Sequence, residues 1–125
     1  MKVIYLAGPY RAETVWQTHR NIRTAEEYAA KLWNMGAAAV CPHKNSAHLD
    51  GCADEKVFLD GYLEIVKRCD AVLLLPSWNT SIGAASELAL AERCNIPVFD
   101  YKNLGELLVW LSTDKSEQKG ATCDH

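Results

Sequence analysis

The sequence lacks long apolar runs, CxxC pairs and a strong excess of charge of either sign. No apolar stretch approaches the roughly 20 residues of a transmembrane helix, so we expect no membrane partner. The formal net charge of -3 gives no reason to expect a surface for a nucleic acid polymer. Because the five cysteines are odd in number and no signal segment precedes Val3, we expect a cytoplasmic protein without a disulfide framework.

Three further features are missing, namely a GxGxxG fingerprint, internal repeats and low-complexity segments. The first absence excludes a standard dinucleotide-binding loop. With 125 residues, of which 49% are hydrophobic, the chain has the size and apolar content of one core. We therefore predict a single domain over residues 1–113, followed by a polar, flexible C-terminal tail at 114–125.

Short apolar runs alternate with amphipathic segments along this domain. Strands are predicted at 3–7, 37–41, 71–75 and 96–99, and helices at about 13–35, 54–68, 81–94 and 104–111. Alternation of this kind predicts a three-layer α/β/α sandwich with a flavodoxin-like or Rossmann-like parallel sheet of four to five strands. Ligands of such sheets bind beyond the carboxyl ends of the strands, where the loops at 8–13, 43–54 and 76–81 should converge.

The segment from Ser81 to Glu87 is the most informative motif, because it places Ser-x-Gly at the start of a helix. The free N–H groups and the dipole of a helix start attract anions, and Gly83 allows close approach to the backbone. Glu87 lies about one turn further in, where we expect the dipole to keep its carboxylate ionised. This arrangement suits a sugar phosphate whose sugar carbon the carboxylate attacks, although simple helix capping beside a surface glutamate is the alternative.

Arg11 follows the first predicted strand and its Gly8-Pro9 turn. Because arginine suits bidentate phosphate contacts, it is a candidate phosphate ligand at the same end of the sheet. A solvated arginine is the alternative.

Three ordered segments, Tyr5–Arg11, Arg68–Val72 and Ser81–Glu87, resemble the nucleoside 2-deoxyribosyltransferase superfamily, which includes 2′-deoxynucleoside 5′-monophosphate N-glycosidases. The resemblance spans about residues 2 to 100. It implies that Glu87 is the nucleophile, forming a glycosyl-enzyme intermediate at the sugar C1′, and that Tyr5 orients this carboxylate. It also implies that Arg11, Ser81 and Gly83 hold the 5′-phosphate of the substrate. Gly8 and Pro9, in the loop before Arg11, are further candidate substrate-binding residues. Members of the superfamily are usually homodimers or larger, with the neighbouring subunit helping to close the site.

The chain departs from the superfamily pattern eight residues before Asp70, where an aspartate usually holds or protonates the leaving base and this chain has Tyr62. The nearest acid, Asp60, lies two residues earlier and therefore roughly on the opposite side of a helix. Either Tyr62 substitutes for the aspartate or a local shift brings Asp60 into place. Otherwise activity would be weak or altered.

The loop after the second strand contains Cys41, His43, His48 and Cys52, all of which are types that bind zinc. Their spacing matches no common zinc module, so we expect no metal and no cofactor.

Two residues of the same loop, Asn45 and His48, are expected to line a base pocket, unless the loop is simply a polar surface. Trp78, in the loop after the third strand, is a candidate for stacking on the base.

The leading hypothesis is cleavage of the N-glycosidic bond of a nucleoside or nucleoside 5′-monophosphate, by hydrolysis or by transfer of the deoxyribosyl group to another base. Arg11 favours a phosphorylated substrate. Two alternatives are a non-catalytic nucleotide-binding module or sensor, and a hydrolase of a related N-glycoside such as NAD.

Overall fold

A computed structural model describes residues 1–46 and 49–113. Strands and helices alternate as predicted, with the bounds β1 Val3–Ala7, α1 Val15–Asn34, β2 Ala38–Val40, α2 Pro42–Asn45, α3 Glu55–Lys67, β3 Ala71–Leu74, α4 Ile82–Arg93, β4 Val98–Asp100 and α5 Leu104–Thr113. The short helix α2 lies in a segment predicted as a loop. Pro42 occupies its first turn, where a fixed φ and a missing N–H suit a helix start. The predicted tail at 114–125 lies outside the described residues.

The four strands form one parallel sheet in the order β2-β1-β3-β4, which confirms the predicted α/β class. β1 pairs with β2 on one side and with β3 on the other, so the strand order reverses beside β1. Both central strands are apolar and almost fully buried, as expected for a parallel sheet covered on both faces. The crevice between the carboxyl ends of β1 and β3 is therefore the topological switch point, where such folds bind ligands.

Alternating side chains of β1 and β3 divide the core into two layers. Tyr5, Ala7, Val72 and Leu74 face α3 and α4, whereas Ile4, Leu6, Ala71 and Leu73 face α1 and α5. This division is the predicted three-layer sandwich. Within the two described ranges, no helix combines the length and the apolar character needed to cross a bilayer.

Candidate active site

A cavity of about 510 Å³ opens at the carboxyl ends of β1 and β3. The loops after β1, β2 and β3 all contribute to it, as the sequence predicted, together with α3 and the first turns of α4. Seven of the candidate site residues line it, namely Gly8, Pro9, Arg11, Tyr62, Ser81, Gly83 and Glu87.

Glu87 is fixed by a buried tyrosine at the inner end of the cavity. The Tyr5 hydroxyl donates a hydrogen bond of 2.6 Å to Oε2 of Glu87, and Tyr5 itself has no exposed surface. Burial and the neighbouring carboxylate raise the pKa of the Tyr5 phenol far above its usual value, so Tyr5 remains a hydrogen-bond donor. Since Oε2 is held by Tyr5, Oε1 is the carboxylate oxygen available to a ligand.

The expectation that the helix dipole keeps Glu87 ionised is wrong. Burial raises the pKa of Glu87 to about 7, and the hydrogen bond from Tyr5 only partly opposes this shift. The physical reason is distance along the helix. Glu87 is the sixth residue of α4, whereas the effect of the dipole falls off within the first turn. Near neutral pH the group can therefore act both as a carboxylate and as an acid.

The start of α4 leaves space and donors on the cavity side. The Ser81 hydroxyl accepts a hydrogen bond of 3.1 Å from the Ala84 N–H, so Ser81 is the N-cap and its own proton can be donated to a ligand. A Cβ added at Gly83 would contact only Ser81 Oγ at 3.8 Å and Leu59 Cδ2 at 4.0 Å. Packing within the protein does not require glycine there, and its lack of a side chain leaves the cavity open.

Gly8 is required by the fold itself. A Cβ at this position would lie 2.8 Å from Cβ of Leu75, closer than side-chain carbons normally approach. Gly8 therefore allows the loop after β1 to pass close to the end of β3, which places Pro9 and Arg11 on the cavity wall.

Arg11 lies at the exposed mouth of the cavity and faces an acidic partner. Its guanidinium is 3.8 Å from a carboxylate oxygen of Asp50, and the two side chains are 54% and 59% exposed. An exposed pair of this kind contributes little stability. Arg11 is therefore available to an anionic ligand that competes with Asp50.

α3 presents Tyr62 to the cavity and turns Asp60 away from it. The residues of α3 that line the cavity, Glu55, Phe58, Leu59 and Tyr62, follow helical spacing. Asp60 falls outside this stripe and forms an exposed ion pair of 2.6 Å with Lys56 on the same helix. Of the two candidates for assisting the leaving base, the structure thus brings only Tyr62 to the site.

Two of the predicted base-binding residues, Asn45 and Trp78, do not line the cavity. Asn45 is exposed and borders a separate open groove beside the edge strand β2. Trp78 packs against the core layer formed with α3 and α4, which leaves the predicted stacking without support. His48 lies outside the described residues.

His43, which the sequence suggested only as a zinc ligand, proves to be a buried part of the cavity wall with 3% exposure. Its Nε2 lies 2.9 Å from the Pro9 carbonyl oxygen, while Nδ1 is buried without a hydrogen-bond partner. Burial lowers the pKa of His43, so the ring is neutral. The buried start of α2 explains why sequence reasoning missed it, since a lone histidine in a polar segment carries no periodic signal.

Two amides on α1, Gln17 and Asn21, also line the cavity and were not predicted. The Asn21 side chain donates to the Tyr10 carbonyl oxygen at 3.0 Å and accepts from the Gln17 amide at 3.0 Å. Their i, i+4 spacing is a signal present in the sequence, but only the packing of α1 shows that this face borders the site.

No group of three or more His, Cys, Asp or Glu side chains that could hold a metal ion occurs among the described residues. Cys41 and Cys52, from the zinc pattern considered above, have free thiols.

Comparison with known proteins identifies a family but no activity. No curated protein matches the chain significantly. A family model described as a domain of unknown function (DUF4406) matches residues 2–100. Because this match covers most of the 125 residues, the chain belongs to the DUF4406 family.

Proposed function

We propose that this protein cleaves the N-glycosidic bond of a nucleoside or nucleoside 5′-monophosphate, with Glu87 as nucleophile. The observation that carries the proposal is the Tyr5–Glu87 pair, in which a buried phenol fixes one carboxylate oxygen inside a cavity at the switch point of the sheet. An oriented carboxylate with a pKa of about 7 is suited to nucleophilic and acid–base work near neutral pH. No cofactor is needed for this chemistry.

The reaction has two steps. Oε1 of Glu87 attacks C1′ of the sugar, the C1′–N bond breaks, and its electron pair leaves with the base, which takes up a proton from water or the site. A water molecule, or the nitrogen of a second base, then attacks C1′, gives up a proton to the solvent or the site, and releases the Glu87 carboxylate. Hydrolysis and deoxyribosyl transfer therefore share the first step and differ only in the acceptor.

The other residues of the cavity support a phosphorylated substrate. Ser81 and Gly83 begin a helix of 12 residues with a free face toward the cavity, and Arg11 supplies a cation at the mouth. Anions bind favourably at helix starts and to arginine. In this proposal the 5′-phosphate lies near these three residues, with C1′ toward Glu87.

The proposal includes a homodimer or larger assembly in the cytoplasm. Exposed apolar side chains support an interface, since Ile82 lines the cavity and is 88% exposed, and Val15 and Trp16 are 74% and 70% exposed on the first turn of α1. Light scattering at several protein concentrations tests the assembly, and a monomer throughout would contradict it.

A non-catalytic nucleotide-binding module is the second candidate, and the placement of Asp60 favours it. With Asp60 directed away, the cavity has no aspartate where the resemblance expects the group that assists the leaving base. General acid assistance typically contributes a factor of about 10² to 10⁴ in rate. If turnover is slow because the site lacks this aspartate, Tyr62→Asp should raise turnover, while Asp60→Asn should leave it unchanged.

The deciding experiment measures release of free base from a panel of 2′-deoxynucleosides, their 5′-monophosphates and NAD by chromatography. The parental protein should release base from a deoxynucleotide, and Glu87→Ala should abolish release while circular dichroism shows an intact fold. Glu92→Ala, an exposed glutamate on the same helix, is the matched control. Binding without turnover would indicate the nucleotide-binding module, and near-parental turnover by Glu87→Ala would remove Glu87 from the mechanism.

A further inference from the structure

One wall of the cavity is formed by α2, the residue after it, and α3. We refer to the side chains of His43, Ser46 and Tyr62, which line the cavity here, as the α2–α3 wall. His43 and Ser46 are buried, and Tyr62 is half-buried. The direction of each proton on this wall determines which ligand groups it can bind.

Tyr62 and Ser46 direct their protons into the protein. The Tyr62 hydroxyl hydrogen-bonds the Ser46 hydroxyl and lies 3.3 Å from the carbonyl oxygen of Pro42, and the Ser46 hydroxyl lies 3.4 Å from that same oxygen. A carbonyl oxygen can only accept. Whichever hydroxyl donates to Pro42, the other donates to its neighbour, so both protons are used within this group of three. At least one lone pair of Tyr62 stays unused in either arrangement.

His43 is fixed in the same sense. Since Nε2 is 2.9 Å from the Pro9 carbonyl, which only accepts, Nε2 must carry the proton. The ring is neutral because burial lowers its pKa, so Nδ1 carries a lone pair. This lone pair has no partner among the described residues. Since Nε2 donates to Pro9 and Nδ1 is buried, His43 offers no hydrogen-bond donor to a ligand in the cavity.

The outer part of the same side continues this pattern. Asp50 and Glu55 line the cavity beyond the α2–α3 wall, and an ionised carboxylate only accepts hydrogen bonds. Because Asp50 is paired with the guanidinium of Arg11, Glu55 and the α2–α3 wall are the described groups that present unpaired acceptors on this side.

We infer that the α2–α3 wall faces the exocyclic group of a nucleobase and selects an amino group, which donates a hydrogen bond, rather than the oxo group of its counterpart, which accepts one. This inference rests on the proposed function. With C1′ at Glu87 and the phosphate at the start of α4, the base is directed toward Tyr62 and Ser46. An amino group there donates to unused lone pairs, whereas a carbonyl oxygen meets further lone pairs.

The test compares ligands that differ in this group. Calorimetry on the full chain carrying Glu87→Gln, which prevents turnover, measures the affinity for 2′-deoxyadenosine against 2′-deoxyinosine 5′-monophosphate, and for the cytosine against the uracil nucleotide. An oxo group buried opposite acceptors loses a hydrogen bond and remains unsatisfied. We compare the two ligands within whichever pair, purine or pyrimidine, binds more tightly. In that pair the amino nucleotide should bind about tenfold or more tightly than the oxo nucleotide. A purine 2′-deoxynucleotide without a 6-substituent keeps the acceptor N1 of adenine. It therefore separates loss of the amino donor from the effects of the oxo group and of the ring N–H that accompanies it.

Two wall variants locate the effect. Tyr62→Phe removes an acceptor and should reduce the preference severalfold, whereas Ser46→Ala leaves the Tyr62 proton with the Pro42 carbonyl and should preserve it. Equal affinities, or a preference for the oxo ligands, would overturn the inference while leaving the proposed function standing. If no nucleotide binds and the parental protein releases no base, both are overturned.

Discussion

Replacement of Glu87 by Gln should make the protein more stable, by an amount that depends on pH. Gln has nearly the same shape as Glu, and its carbonyl oxygen can still accept the hydrogen bond from Tyr5. The difference is that Gln carries no charge at any pH. The substitution therefore isolates the free energy of holding an ionised carboxylate in a partly buried site.

The magnitude follows from the pKa of Glu87, which burial raises from 4.5 to about 7. Between these values the folded state binds a proton that the unfolded chain has released, so the free energy of unfolding falls as the pH rises. One pKa unit corresponds to about 1.4 kcal/mol. Between pH 5 and pH 8 the parental protein should therefore lose about 2 to 3 kcal/mol that Glu87→Gln retains.

Urea unfolding followed by circular dichroism at pH 5, 6, 7 and 8 measures this difference. The gap between Glu87→Gln and the parental protein should widen up to about pH 7 and then level off, since both proteins share their other titrating groups. Glu92→Gln, on the exposed side of the same helix, is the matched control. A constant gap for Glu87→Gln would refute the argument that Glu87 is desolvated.

Three other substitutions test the geometry of the site. Tyr5→Phe removes the hydrogen bond that favours the ionised form of Glu87. In urea, the difference in unfolding free energy between Tyr5→Phe and the double variant Tyr5→Phe, Glu87→Gln should therefore level off at a pH above 7. A pH profile unchanged from that of the single Glu87→Gln comparison would contradict this. Arg11→Ala should weaken binding of a 5′-monophosphate about tenfold more than that of the matching nucleoside in calorimetry, and equal losses would exclude a phosphate role. Gly8→Ala should lower the free energy of unfolding in urea by about 1 to 3 kcal/mol because the added Cβ meets Leu75. Gly83→Ala, where a Cβ has space, should not lower it. Similar values for the two variants would show that the close contact at Gly8 is relieved easily.

The sequence predicted the elements well where the signal is local. The bounds of β1 and the N-cap of α4 at Ser81 agree with the structure, because a buried strand and a helix cap each show within a few residues. The predicted cavity location followed as well, since alternating strands and helices bring loops to one end of a parallel sheet. The helical turn α2 was missed because four residues are too few to show a period.

The tertiary structure alone decided the chemical state of the site, because that state depends on partners far apart in the chain. Tyr5 and Glu87 are 82 positions apart, and only their packing shows that burial outweighs the helix dipole and raises the pKa of Glu87. The proton of Tyr62 is likewise directed by groups 16 and 20 positions away. The sequence by itself determined the strands and helices, through the periodicity of each element, and hence the end of the sheet at which their loops meet. Which side chains are desolvated, and where their protons point, was fixed only when distant segments came into contact.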